Sequence, residues 1–177
     1  SLNLSRLSVV TDTALRDLKL IDPILGGVKK AGCEIVNLFS EVPSNSEVEV
    51  VKRCAEAAIQ KNADGFLAIG GGSVIDTAKG ANILLSHGGD LVSDYSGAET
   101  LPGPLKPLIA IPTTAGTGSE VSRAAVILDK RNHTKLSFVD HHLAPTLAIL
   151  DPELTVSLPP RLTASTAIDA LTHAIES

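Results

Sequence analysis

A short, wholly apolar run, Phe66-Leu67-Ala68-Ile69, passes without a spacer into Gly70-Gly71-Gly72-Ser73 and then into a helical pattern reaching Leu85. This junction constrains the fold more than any other feature. A strand without polar alternation is buried on both faces, which marks a parallel sheet covered by helices. Leu7–Thr11, Glu34–Phe39, Leu108–Pro112, Ala125–Leu128 and Leu147–Leu150 also read as strands. Helical patterns alternate with them. One covers Pro23–Ala31, with Pro in its first turn and Gly32 past its end. Another runs to Lys61 behind the capping-box pattern Ser44-Asn45-Ser46-Glu47, with Val48, Val51, Ala55, Ala58 and Ile59 in helical period. A last helix starts near Leu162, after Pro159-Pro160. Residues 86–107 form a loop rich in Gly, Ser and Pro. The expected class is α/β, a parallel sheet with helices on both faces and right-handed crossovers.

The chain has 177 residues, 44% hydrophobic and 20% charged, enough for a packed core in one domain or two small ones. Aromatic residues are 2%, so Ala, Val, Ile and Leu must build that core. A net charge of −5 without a basic patch argues against nucleic acid and anionic membranes as partners. Apolar stretches fall short of the roughly 20 residues of a membrane helix, and no cationic start leads into an apolar run. Cys33 and Cys54 lack C-x-x-C spacing and read as reduced thiols, which predicts a cytoplasmic protein. The chain opens at Ser1, contains no Met and stops at Ser177 inside a helical pattern, so a fragment or processed form is expected.

Three segments carry chemistry. In Gly70–Lys79 the glycines let backbone approach a bulky anion, and the amides opening the helix point at it with a favourable dipole. Ser73 is placed to cap that helix and Asp76 to complete a capping box. The spacing is not G-x-G-x-x-G. A phosphate site and a tight turn needing glycine for packing both fit it. Pro112–Glu120 follows a buried strand with four hydroxyls, on Thr113, Thr114, Thr117 and Ser119, and two glycines. Such a loop either binds phosphate or ribose oxygens or is simply solvated. Two such loops at the ends of one sheet favour a shared diphosphate ligand, because ligands of these sheets bind beyond the carboxyl ends of the strands. Third, Asp169 and His173 stand i, i+4 on the last helix, on one face, one turn apart. That suits two ligands of a divalent ion, or a surface Asp–His contact; two ligands are fewer than a catalytic metal takes from protein. Glu176 shares that face.

The other histidines are less informative. His141 and His142 are adjacent and face apart on a regular element, so a solvated loop is expected; His87 and His133 have no ligand spacing. No G-x-S-x-G elbow occurs and neither cysteine has a nearby base, which leaves covalent catalysis without support.

Taken together and in order, these segments resemble the iron-containing (group III) alcohol dehydrogenases. Gly70–Lys79 is similar to that family's GGGSxxDxAK signature, Pro112–Glu120 to PTTAGTGSE, Asp151–Leu154 to DPEL and Asp169–Glu176 to DALTHAIE. The similarity runs over the N-terminal part of the usual family length. It implies a Rossmann-like NAD-binding domain over 1–158, followed at 159–177 by the start of a truncated, all-helical metal-binding domain. It also implies site residues. Asp12 would accept from the adenosine ribose and repel a 2′-phosphate, favouring NAD over NADP. Gly71, Gly72 and Ser73 would cradle the pyrophosphate. Thr113, Thr114 and Thr117 would line the phosphates and the nicotinamide side. Lys135 and Leu154 would contact the nicotinamide half, and Asn45 the adenine side. The family has prolines flanking that Asn where this chain has Ser44 and Ser46, and Gly where it has Ala167. Asp169 and His173 match its first two ligands for iron or zinc; no residue here matches its two further histidines.

The implied activity is hydride transfer between a small alcohol and an aldehyde or ketone, with cofactor binding alone expected of the 177-residue chain. A related glycerol dehydrogenase or maleylacetate reductase-like enzyme, or a non-catalytic nucleotide-binding or dimerisation module, is the alternative. The resemblance also implies a homo-oligomer; an exposed edge strand near the N-terminus is expected to be available to a second copy, and truncation to leave apolar surface exposed.

Overall fold

The computed structural model describes residues 4–176. Its first half is a strand–helix alternation: β1 (Arg6–Val10), α1 (Thr13–Asp17), α2 (Asp22–Lys30), β2 (Glu34–Phe39), α3 (Val48–Gln60), β3 (Gly65–Gly70) and α4 (Gly72–His87). There follow α5 (Leu91–Tyr95), β4 (Gly97–Ala98), β5 (Leu108–Pro112), β6 (Ala124–Asp129) and β7 (Thr134–Val139). A one-turn 3₁₀ helix (His141–Leu143), β8 (Leu147–Ala148), α6 (Glu153–Val156) and α7 (Pro160–Glu176) complete it.

Five strands form an all-parallel sheet in the order β2-β1-β3-β5-β8. Alternate residues of β3 serve opposite faces. Phe66 and Ala68 join the core that includes Val51 and Ala55 of α3 and Val74, Ile75 and Ala78 of α4. Leu67 and Ile69 join Leu7, Val9, Ile21 and Ile111, against which Ile24, Leu25 and Val28 of α2 pack. Both faces of the sheet are thus covered, which is why its central strands read as continuous apolar runs. The fold is the expected Rossmann-like α/β arrangement.

Several details differ from the sequence reading: residues 86–107, expected as a loop, hold the end of α4, α5 and β4. Ala125–Leu128 belongs to a second sheet, β4-β7-β6, in which β6 and β7 form an antiparallel hairpin. That sheet lies over α4, where a Cβ on Gly80 would stand 2.7 Å from Ile127 Cδ1 and 2.9 Å from Val51 Cγ1. Glycine here permits three layers to close. The strand expected at Leu147–Leu150 is only Leu147–Ala148, an edge strand. The strand nearest the N-terminus, β1, is interior, paired with β2 and β3, so the edge on that side is β2.

Candidate functional site

The parallel register sets the site. Ile69 pairs with Ile111 and Gly70 with Pro112, so β3 and β5 end level. Their loops leave side by side, joined by the Thr113 amide donating to the Gly70 carbonyl at 3.1 Å. A Cβ on Gly72 would lie 2.8 Å from Thr117 Cγ2, and one on Gly71 would lie 3.3 Å from Thr114 Cγ2. The two motifs therefore interlock, and the volume missing from the glycines is filled by the threonines. Close packing, one of the two readings open at the sequence level, is thus one role of Gly71 and Gly72.

The interlocked loops line a cleft of about 170 Å³ with Asn45, Ser46, Gly72, Ser73, Asp76, Thr117, Val126, Leu128 and Lys135. Within α4 the first intrahelical donors are Val74 and Ile75, both onto the Gly71 carbonyl. The amides of Gly72 and Ser73 precede that ladder and carry the positive end of the helix dipole. With the Lys135 ammonium, they give the cleft the donors that a phosphate requires.

Of the signature Asp and Lys, Asp76 borders this cleft and Lys79 lies beneath it, and both fasten loops to α4. Gly71, not Ser73, is the N-cap of α4, and no side chain caps the helix. The Ser73 hydroxyl donates to the Ser44 carbonyl at 2.5 Å. Asp76 accepts from the Ser119 hydroxyl and, at 2.9 Å, from the Val126 amide. It ties the threonine loop and β6 to α4 instead of closing a capping box. Burial raises its carboxyl above the usual range, against the lowering effect of those bonds and of Lys79. Lys79 is fully buried and donates to the carbonyls of Ser122 (2.9 Å) and Ala124 (2.7 Å) and to the Ser122 hydroxyl (3.1 Å). Desolvation lowers it from 10.5 to about 8, with Asp76 and Glu120 acting the other way. The sequence pattern contained both residues but gave no sign that their partners are Ser119, Ser122, Ala124 and Val126.

The Ser44–Glu47 box is not formed either. Ser46 shares a 2.9 Å hydrogen bond with Thr77, and its carbonyl accepts from the Leu128 amide at 2.7 Å. Glu47 pairs with Lys130 at 2.7 Å. These bonds hold the Asn45 loop against α4 and β6.

Asn45, Gly72, Ser73, Thr117 and Lys135 meet in the cleft, with Gly71 and Thr114 directly behind it. Thr113 is buried beside Gly70. Asp12 lies beyond β1, where it caps α1 by accepting from the Leu15 amide at 2.8 Å. Leu154 packs against the α2-side core rather than lining the cleft. Asp169 and His173 project from α7 with Oδ1 and Nε2 3.8 Å apart, their side chains 45% and 60% exposed. A carboxylate and an imidazole this close on one helix face fit half of a metal site. The first part of α7 is seated on the threonine loop: a Cβ on Gly116 would lie 2.4 Å from the Thr166 carbonyl oxygen.

A parallel sheet with a glycine turn and a hydroxyl-rich loop at adjacent strand ends, beside a helix N-terminus, defines a dinucleotide-binding type of α/β domain. The sequence matches the family Iron-containing alcohol dehydrogenase over residues 1–152. The chain belongs to that family. It is 42% identical to a choline dehydrogenase of Bacillus subtilis over 99% of this chain and 44% of the relative's length. It is 38% identical to an NAD-dependent methanol dehydrogenase of Bacillus methanolicus over 96% of this chain and 44% of the relative. A solved sulfoacetaldehyde reductase of Bifidobacterium kashiwanohense in complex with NAD+ superposes with a TM-score of 0.89 at 32% identity. That match covers 98% of this chain and 45% of the solved one. The chain thus spans less than half the length of the relatives it matches. Among the described residues no helix is long and apolar enough to cross a membrane.

Proposed function

We propose that this chain is the cofactor-binding part of an NAD-dependent, metal-dependent alcohol dehydrogenase that moves hydride between a small alcohol and an aldehyde or ketone. Residues 1–158 are the NAD-binding domain in this reading, and 159–177 open the helical metal-binding domain. The observation that carries it is the interlock of two loops at level strand ends, with the Gly72 and Ser73 amides and the Lys135 ammonium around one cleft. The NAD+ complex of the solved reductase supports it.

Gly71, Gly72 and Ser73 hold the pyrophosphate. Ser73 does so through its amide, since its hydroxyl proton is given to Ser44. Thr113, Thr114 and Thr117 shape the loop against phosphates and nicotinamide; Lys135 reaches from the phosphates to the nicotinamide half, and Leu154, outside the cleft, serves that half only where it runs past the α2-side core. Asn45 faces the adenine. One oxygen of Asp12 holds the Leu15 amide, leaving the other to accept from the ribose 2′-OH and to exclude a 2′-phosphate. Asp169 and His173 hold iron or zinc, which when bound polarises the alcohol oxygen as a Lewis acid. Two exposed ligands make half a site, which favours cofactor binding without turnover for the 177-residue chain. We further place the protein in the cytoplasm and expect a homo-oligomer.

Calorimetric titration with NAD+ tests this. We expect one site whose affinity does not respond to added iron or zinc and falls at least tenfold in Gly72→Val. A folded chain that binds no NAD+ overturns the reading. Turnover of NADH with small aldehydes by the chain plus metal overturns its restriction to cofactor binding.

A further inference from the structure

A separate cluster lies at the far end of β7. Lys135, in the cleft, and Asp140, just past the strand, are five residues apart, roughly 17 Å in an extended chain. Asp140, His141 and His142 each bring a ligand atom to within 4.8 Å of the others. The two imidazoles do not face apart as their adjacency suggested. In the one-turn 3₁₀ helix their ring centres stand 3.8 Å apart, tilted by 39°. Glu99, from the turn after β4, lies outside that group but brings a carboxylate oxygen to 3.5 Å from His141 Nδ1.

The distances are informative. His141 Nδ1 lies 3.4 Å from Asp140 Oδ1 and 3.5 Å from Glu99 Oε2. A charge-assisted N–H···O bond would close to about 2.8 Å. Two donor atoms each about 2.1 Å from a tetrahedral ion stand about 3.4 Å apart. The spacing around His141 is therefore that of two ligands sharing one ion as well as that of a loose ion pair.

The group is also pre-organised. The Asp140 side chain is 3% exposed, and its carboxylate accepts from the His142 amide (2.9 Å) and the Leu101 amide (3.3 Å). Its own amide donates to the Arg123 carbonyl at 3.0 Å, and that of Glu99 to the Val139 carbonyl at 2.8 Å. The two segments supplying ligands are thus already fastened together through Asp140.

We propose that Asp140, His141, His142 and Glu99 form a second divalent-metal site, distinct from the Asp169–His173 pair and suited to zinc. Imidazole and carboxylate ligands fit that ion; Asp140, His141 and His142 supply three, and Glu99 swung in from beside His141 closes the site as a structural one. Zinc there clips the turn after β4 to the 3₁₀ turn after β7.

The test uses the chain carrying Asp169→Ala and His173→Ala, freed of metal by chelator and titrated calorimetrically with zinc chloride. The expected result is one zinc per chain, with a Kd below ~10 µM. His141→Ala and His142→Ala each weaken it at least tenfold. Glu99→Gln, at a side chain 69% exposed and so without a folding role, weakens it severalfold. Absence of saturable binding overturns the proposal. So does zinc affinity that survives the two histidine replacements or is unchanged by Glu99→Gln.

Discussion

Lys79 shows how a buried charge can serve a loop rather than a ligand. Its ammonium fastens Ser122 and Ala124 to α4, while Asp76, one helical turn earlier, fastens Ser119 and Val126. Lys79→Met leaves the carbonyls of Ser122 and Ala124 without their donor. The expected loss at neutral pH is about 3 kcal/mol, read by urea unfolding. The pH dependence follows from the depressed value. The unfolded chain keeps this proton up to 10.5, whereas the folded chain releases it above about 8. Raising the pH through that window therefore favours folding. The advantage of the native chain over Lys79→Met is smallest below pH 8 and grows by roughly 3 kcal/mol toward pH 10.5. A stability difference that stays constant from pH 7 to 10 contradicts this account. The Cys54 thiol, fully buried and pushed well up by desolvation, agrees with an inert, reduced cysteine.

Among the elements, α7 depends on a single glycine for its seat. Gly116→Ala drives a methyl group into the Thr166 carbonyl, and neither backbone can yield without moving the helix start. We expect a loss of about 2 kcal/mol from such overpacking, together with faster amide exchange over residues 160–166. Unchanged exchange there would show that the helix is not held through this contact. The strands legible in the sequence were those buried on both faces, such as β3, where continuous apolar residues leave little choice. The β6–β7 hairpin was half missed, although Leu136 and Phe138 alternate with Lys135 and Ser137 behind the turn at 130–133. One strand of a hairpin, taken alone, looks like a short parallel strand. Capping patterns misled for a different reason. Ser46, Ser73 and Asp76 found stronger partners on distant segments, and local spacing carries no information about these.

At the scale of the whole molecule, the two loops and their order were legible, because each follows a strand that must end at the same edge of the sheet. Their interlock through Gly72 and Thr117 was not, since it depends on the β3–β5 register. Leu162, Ile168, Leu171 and Ile175 of α7 and Val156 of α6 are half or more exposed, an apolar surface unusual for a monomer. The isolated chain is expected to self-associate at high concentration in sedimentation, and Ile168→Glu with Ile175→Glu to reverse it. A monodisperse monomer under the same conditions would contradict this. The central claim is that the amides opening α4 grip the phosphates of NAD. Nitrogen-15 NMR of the labelled chain titrated with NAD+ reads those amides one by one. The account predicts saturable shifts centred on Gly72, Ser73 and Thr117, with little change at His141 and His142. Shifts that avoid residues 70–73, or none in a folded chain, would contradict it.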